Sequence, residues 1–158
     1  MAADDVRAIR IDAVTAVFTL PNDIAAIEAG RRALFDFLDA GSLGGRVVNR
    51  IEVVFEEVVS NIVRHGFAAG SGQSIRVTAT AGRDRIVLRF EDDGIAFDPL
   101  AAVPRPAAAT LAETVLGGLG LPLVRKLAAA TYHDRRDDAV EPDGFRVVND
   151  LTVAIARE

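Results

Sequence analysis

The chain has 158 residues, 50% hydrophobic and 26% charged, which argues against disorder and suits one folded domain spanning 1–158. A formal net charge of −5 without any dense Lys/Arg run argues against direct nucleic-acid binding and against a polybasic membrane contact. The absence of cysteine excludes disulfides and thiolate metal sites; with no long apolar run and no signal-type start in Met1-Ala-Ala-Asp-Asp-Val6, a soluble cytoplasmic protein is expected.

From Val6 to Leu20 apolar and polar residues alternate, with Ile9, Ile11, Val14 and Val17 adding β-branched character, so one or two strands are predicted. Pro21-Asn22-Asp23 then breaks the strand and caps a helix carrying Ile24, Ile27, Leu34, Phe37 and Leu38, which Gly41 is predicted to end. The Phe35/Phe37/Leu38 group reads as core. A second helix is predicted from about Leu43 to Arg64, with Val47, Ile51, Val54, Val58 and Ile62 as its buried stripe and Gly66 as its stop. Ser74 to Ala81 and Arg85 to Glu91 read as a hairpin around Gly82-Arg83-Asp84. Pro99 to Gly117 has no consistent period and is expected to be a loop, with a helical turn near Leu111 to Leu116. A third helix over Gly120 to Ala130 precedes two closing strands, Tyr132 to Asp138 and Phe145 to Ala156, joined through Pro142-Asp143-Gly144. Helices and strands are segregated rather than alternating, which points to an α+β fold: a two-layer sandwich with helices on one face of a mixed, mostly antiparallel sheet.

Three short clusters carry the chemistry. Glu57 and Asn61 lie four apart on the second helix and share a face at the edge of the core, with His65 continuing the row. An Asn amide oxygen suits a hard cation such as Mg²⁺, and a Glu one turn away suits proton removal from an attacking hydroxyl. The same spacing also occurs on ordinary solvated helix faces. Asp92-Asp93-Gly94 ends a strand containing Ile86, Leu88 and Phe90; a carboxylate there can accept a purine amine, although Asp-Gly is also plain turn chemistry. Gly117-Gly118-Leu119-Gly120-Leu121 opens a helix whose first N–H groups can receive phosphate, and Pro122 costs little in a first turn. No Gly-Lys-Ser/Thr follows, so this is not a Walker loop.

In this order, with gaps of roughly 30 and 25 residues, Glu57-x-x-x-Asn61, Asp92-x-Gly94 and Gly118-x-Gly120-Leu121 resemble the N box and the two glycine boxes of the GHKL ATP-binding (Bergerat) fold. Histidine-kinase ATPase domains and gyrase-type ATPases share that fold. The runs Glu57-Val-Val-Ser-Asn-Ile-Val-Arg-His-Gly-Phe67, Phe97-Asp98-Pro99-Leu100 and Gly117-Gly-Leu-Gly-Leu-Pro-Leu-Val-Arg-Lys-Leu127 are similar to the anti-sigma-factor serine kinases of bacterial partner-switching systems. The resemblance implies that Asn61 holds Mg²⁺, Glu57 activates the substrate serine and Asp92 recognises adenine. It places Gly94, Ala96, Gly118, Leu119, Gly120 and Leu121 around ATP, with an ATP lid over about 100–117. It implies transfer of the γ-phosphate to a serine of an anti-anti-sigma (STAS-type) protein, sequestration of a sigma factor, and a homodimer. An ATP-binding regulatory module without kinase activity is the alternative. A GHKL ATPase is a third reading, weakened because the chain ends at residue 158.

The pattern has departures. Ala96 stands where relatives carry a second glycine, Phe145 follows Gly144 where relatives often carry Thr, and Arg105 is the lid's only base. His65 reads as a helix-end histidine bonding locally or placed at the negative helix terminus, His133 as non-catalytic, and Arg135-Arg136-Asp137-Asp138 as a solvated hairpin cluster.

Overall fold

The computed structural model describes residues 6–67, 74–101, 120–134 and 141–158. Six strands form one sheet: β1 (Arg7–Arg10), β2 (Thr15–Pro21), β3 (Ser74–Ala81), β4 (Arg85–Asp92), β5 (Ala129–Asp134) and β6 (Asn149–Ala156). Their order is β1-β2-β3-β4-β6-β5. Where the sequence allows a mixed sheet, all the pairings among described strands are antiparallel. The helices are α1 (Ala25–Leu38), α2 (Gly45–Asn61) and α3 (Gly120–Leu127). The α+β two-layer architecture is as expected. Among the described residues no helix is long and apolar enough to cross a membrane.

Alternation along each strand creates the inner face. Phe18 opposes Val77, Val77 opposes Phe90 and Phe90 opposes Leu151, so one apolar row crosses four strands. All four of these side chains are buried. On α2, Val47, Ile51, Val54, Phe55, Val58 and Val59 are buried against that row, and the Phe55 ring lies 6.4 Å from Phe90. This 3.6-residue periodicity meeting a two-residue periodicity is what fixes which face of α2 remains for a ligand.

α1 reaches the sheet at Gly30. A Cβ there would collide with Leu20 Cδ2 and lie 3.1 Å from Phe55 Cζ, and both neighbours are fully buried. Gly30→Ala is therefore expected to lower stability by about 1–3 kcal/mol despite alanine's better helix propensity. A lowered denaturation midpoint at unchanged slope checks this.

Several boundaries differ from the sequence reading, among them those of α1, α3 and the last strand. α1 stops at Leu38 rather than at Gly41, because Asp39 adopts φ 50° and a 3₁₀ turn, Ala40–Ser42, follows. α3 ends at Leu127 rather than Ala130, because Ala129 and Ala130 pair with Ala154 and Val153; sheet pairing overrides alanine's helix preference. The last strand begins at Asn149 rather than Phe145. Gly144, at φ 84°, closes a turn by donating to the Glu141 carbonyl, and Phe145 then lies under the Arg76 guanidinium, 4.0 Å from ring centroid to Cζ. The loop expected at Pro99 to Gly117, its helical turn, Arg105 and the Arg135–Asp138 cluster fall, beyond Ala101, outside the described residues.

Candidate nucleotide-binding site

A cleft opens between the C-terminal end of α2, the end of β4, the start of α3 and the β5–β6 pair. Val58, Ile62, Phe90, Leu121 and Leu151 supply apolar wall. Few polar groups converge among them, which is the usual build of a small-molecule site.

One end is made by α2. After Asn61 the helix widens into a π turn, Ile62–Gly66, a distortion that is common at functional sites. Asn61 and His65 both line the cleft. Among the described residues neither side chain has a hydrogen-bond partner. Gly66 does not take a left-handed conformation. Its glycine character instead answers crowding, since a Cβ would meet Ile62 Cγ2 at 3.2 Å.

The other end is the turn after β4. Asp92 is 3% exposed. Its Oδ1 accepts hydrogen bonds from the Gly94 N–H at 2.9 Å and from Asn149 Nδ2 at 2.8 Å. Oδ2 takes part in neither bond. Burial holds the Asp92 carboxyl above the ordinary aspartate value; the Asn149 and Gly94 donors pull it down, and the neighbouring Asp93 charge pushes it up.

The two ends are joined through backbone. The Ile95 N–H donates to the Gly66 carbonyl at 2.6 Å. A Cβ on Gly94 would overlap that same carbonyl oxygen and lie 2.8 Å from its carbon. Gly94 is thus required by the protein's own close approach, before any ligand is considered.

Of the residues expected from sequence, Asn61, Asp92 and Leu121 stand in the cleft wall. Gly94 and Ala96 belong to the turn after β4 and are not among the lining residues, and Gly120 is the first residue of α3, preceding Leu121. Glu57 lies one turn before Asn61 on α2, half-buried and outside the lining. Gly118 and Leu119 fall outside the described residues. Phe145 packs on Arg76 and does not line the cleft, whereas Asn149 on the last strand does.

Asn149 and Tyr132 are the functional candidates that sequence reasoning missed. The signal was present in Asn149-Asp150, two polar residues interrupting the apolar run from Val147 to Ile155. Both are buried. They have separate tasks, because Asp150 faces the other side and pairs with Arg89 at 2.6 and 3.0 Å.

For Mg²⁺ and ATP, the donor set fits. Asn61 in the cleft wall carries an amide oxygen, a hard donor of the kind such a cation takes. Mg²⁺ takes such donors together with substrate phosphates.

Residues 20–143 match the sequence pattern of the histidine kinase-like ATPase domain. The chain is also 37% identical over 82 residues to the serine/threonine-protein kinase BtrW of Bordetella bronchiseptica, a stretch covering 52% of this chain and 58% of that protein.

Proposed function

Because the chain belongs to the histidine kinase-like ATPase domain family, we propose that it binds Mg²⁺-ATP in this cleft and phosphorylates a protein serine. The observation that carries the proposal is one apolar-walled cleft with the Asn61 amide at one end and the buried Asp92 carboxylate at the other. Asp92 Oδ2 accepts the adenine amine while Val58, Phe90 and Leu151 hold the ring. Gly94, Ala96, Gly120 and Leu121 shape the backbone around the nucleotide. Asn61 holds Mg²⁺, whose charge neutralises the phosphate oxygens. Glu57, one turn before Asn61 on α2, takes the proton from the serine hydroxyl.

The substrate is a serine of an anti-anti-sigma (STAS-type) protein, and the same chain sequesters a sigma factor as a homodimer. The Glu57–Phe67 run with its Asn-x-x-x-His-Gly ending supports this reading, as does the similarity to a protein named as a serine/threonine kinase. A γ-labelled ATP transfer assay against small candidate partners tests it. Label on a partner serine is expected, and absence of transfer to every STAS-type candidate would sink the kinase reading. Glu57's position outside the lining favours a second reading, a regulatory module that binds ATP without transferring phosphate.

The raised Asp92 pKa gives a signed expectation. Keeping Asp92 ionised costs the fold stability above its folded pKa, and that cost is relieved as pH falls through it. ATP binding draws on the ionised form, so it weakens over the same descent. Carboxyl titration by NMR should place Asp92 above 3.8 in the free protein and move it downward on adding ATP. A value unmoved by ATP would remove Asp92 from the binding site.

A further inference from the structure

We infer that Asn149 is a positioning residue that sets base selectivity, by holding Asp92 as a pure hydrogen-bond acceptor toward the purine's six-position substituent. The inference rests on the ATP reading above and names what within that site rejects other purines.

The Asn149 amide is 7% exposed and its bonding capacity is full. Nδ2 donates to Asp92 Oδ1 at 2.8 Å and to the Ile95 carbonyl at 2.9 Å. Oδ1 accepts from the Phe97 N–H at 3.0 Å and from the Tyr132 hydroxyl at 2.6 Å. Its orientation is fixed by partners that have no choice: a backbone N–H can only donate and a carbonyl can only accept. The amide therefore always presents N–H to Asp92.

The consequence for Asp92 is specific. Its Oδ1 already accepts two N–H groups, from Asn149 and Gly94, so a proton on that atom would displace one of them. Only Oδ2 remains for a ligand. Ionised, Oδ2 accepts from an amine and repels a carbonyl oxygen, so the site takes adenine and refuses purines with a six-oxo group. The Asn149 donor opposes the burial that favours protonation. If that donor is lost, the buried carboxyl gains a proton more readily, and a protonated Oδ2 can donate to a carbonyl. Asn149→Asp makes this acute, because two carboxyl groups in contact share one proton.

The experiment titrates the Mg²⁺ complexes of ATP and inosine triphosphate into the full chain at neutral pH. Inosine triphosphate exchanges the amine for a carbonyl without adding any group at position two. Wild type should prefer ATP by at least roughly 100-fold, since a site built on a hydrogen bond discriminates strongly against its absence. In Asn149→Asp the ATP-to-inosine preference should fall at least about tenfold. Asn149→Ala, which removes the donor to Asp92 without adding a second carboxyl, should lower the preference by a smaller factor and decides the matter if Asn149→Asp does not fold. A purely structural role would weaken both nucleotides alike; unchanged preference in the folded variants overturns the inference. Wild type binding neither nucleotide would instead overturn the ATP reading on which it rests.

Discussion

Replacing Gly94 by alanine is expected to weaken ATP binding at least about tenfold and to lower the melting temperature in the same protein. The added methyl overlaps the Gly66 carbonyl, which belongs to backbone at the end of α2 and has no rotamer to escape into. Relief requires the turn after β4 to move away. That movement breaks the Ile95 N–H bond to Gly66 and disturbs the Gly94 N–H bond to Asp92, each contributing about 1 kcal/mol. Asp92 and Asn61 then lose their mutual placement, so affinity and stability fall together. Gly45→Ala is the matched control, because a Cβ there meets nothing within 4 Å. It should leave ATP affinity unchanged and stability equal or higher. Equal ATP affinity in Gly94→Ala and wild type would show that the backbone clasp does not organise the site.

Glu57→Gln is expected to leave ATP affinity within about twofold of wild type while reducing phosphoryl transfer by roughly 100- to 10,000-fold. The separation follows from position. Glu57 is half-buried on α2 and does not line the cleft, whereas Asn61 one turn later does. Glutamine keeps the shape and removes the basic oxygen, so any loss in transfer without loss in binding isolates proton removal. Single-turnover transfer alongside equilibrium titration makes the comparison. Transfer at the wild-type rate would take Glu57 out of the chemistry and favour a regulatory ATP-binding module.

Much of the fold was legible because two periodicities are clean. Phe18-x-Leu20, Ile75-x-Val77 and Ile86-x-Leu88-x-Phe90 each put one face inward, and Val47, Ile51, Val54 and Val58 trace a single helical stripe. Boundaries were less legible wherever tertiary contacts override local preference. Ala129 and Ala130 are good helix residues drawn into β5 by pairing with β6, and Asp39 ends α1 in a left-handed conformation usually left to glycine or asparagine. In the site, Asn61 and Asp92 were readable because their neighbours are motif-like. Asn149 was not, since its meaning depends on four partners from the β4 turn and β5, distant in sequence. Gly94 has a contact that its motif did not reveal: a Cβ on it would overlap the Gly66 backbone carbonyl.

The central claim, that Asp92 and the apolar cleft above it hold the adenine of ATP, is tested most directly by calorimetric titration of ATP with Mg²⁺ into wild type and Asp92→Ala. Saturable one-to-one binding in wild type is expected, weakened by roughly 10- to 100-fold in a folded Asp92→Ala, the loss of one hydrogen bond to a charged group. ATP binding that is equally tight in both proteins would contradict it.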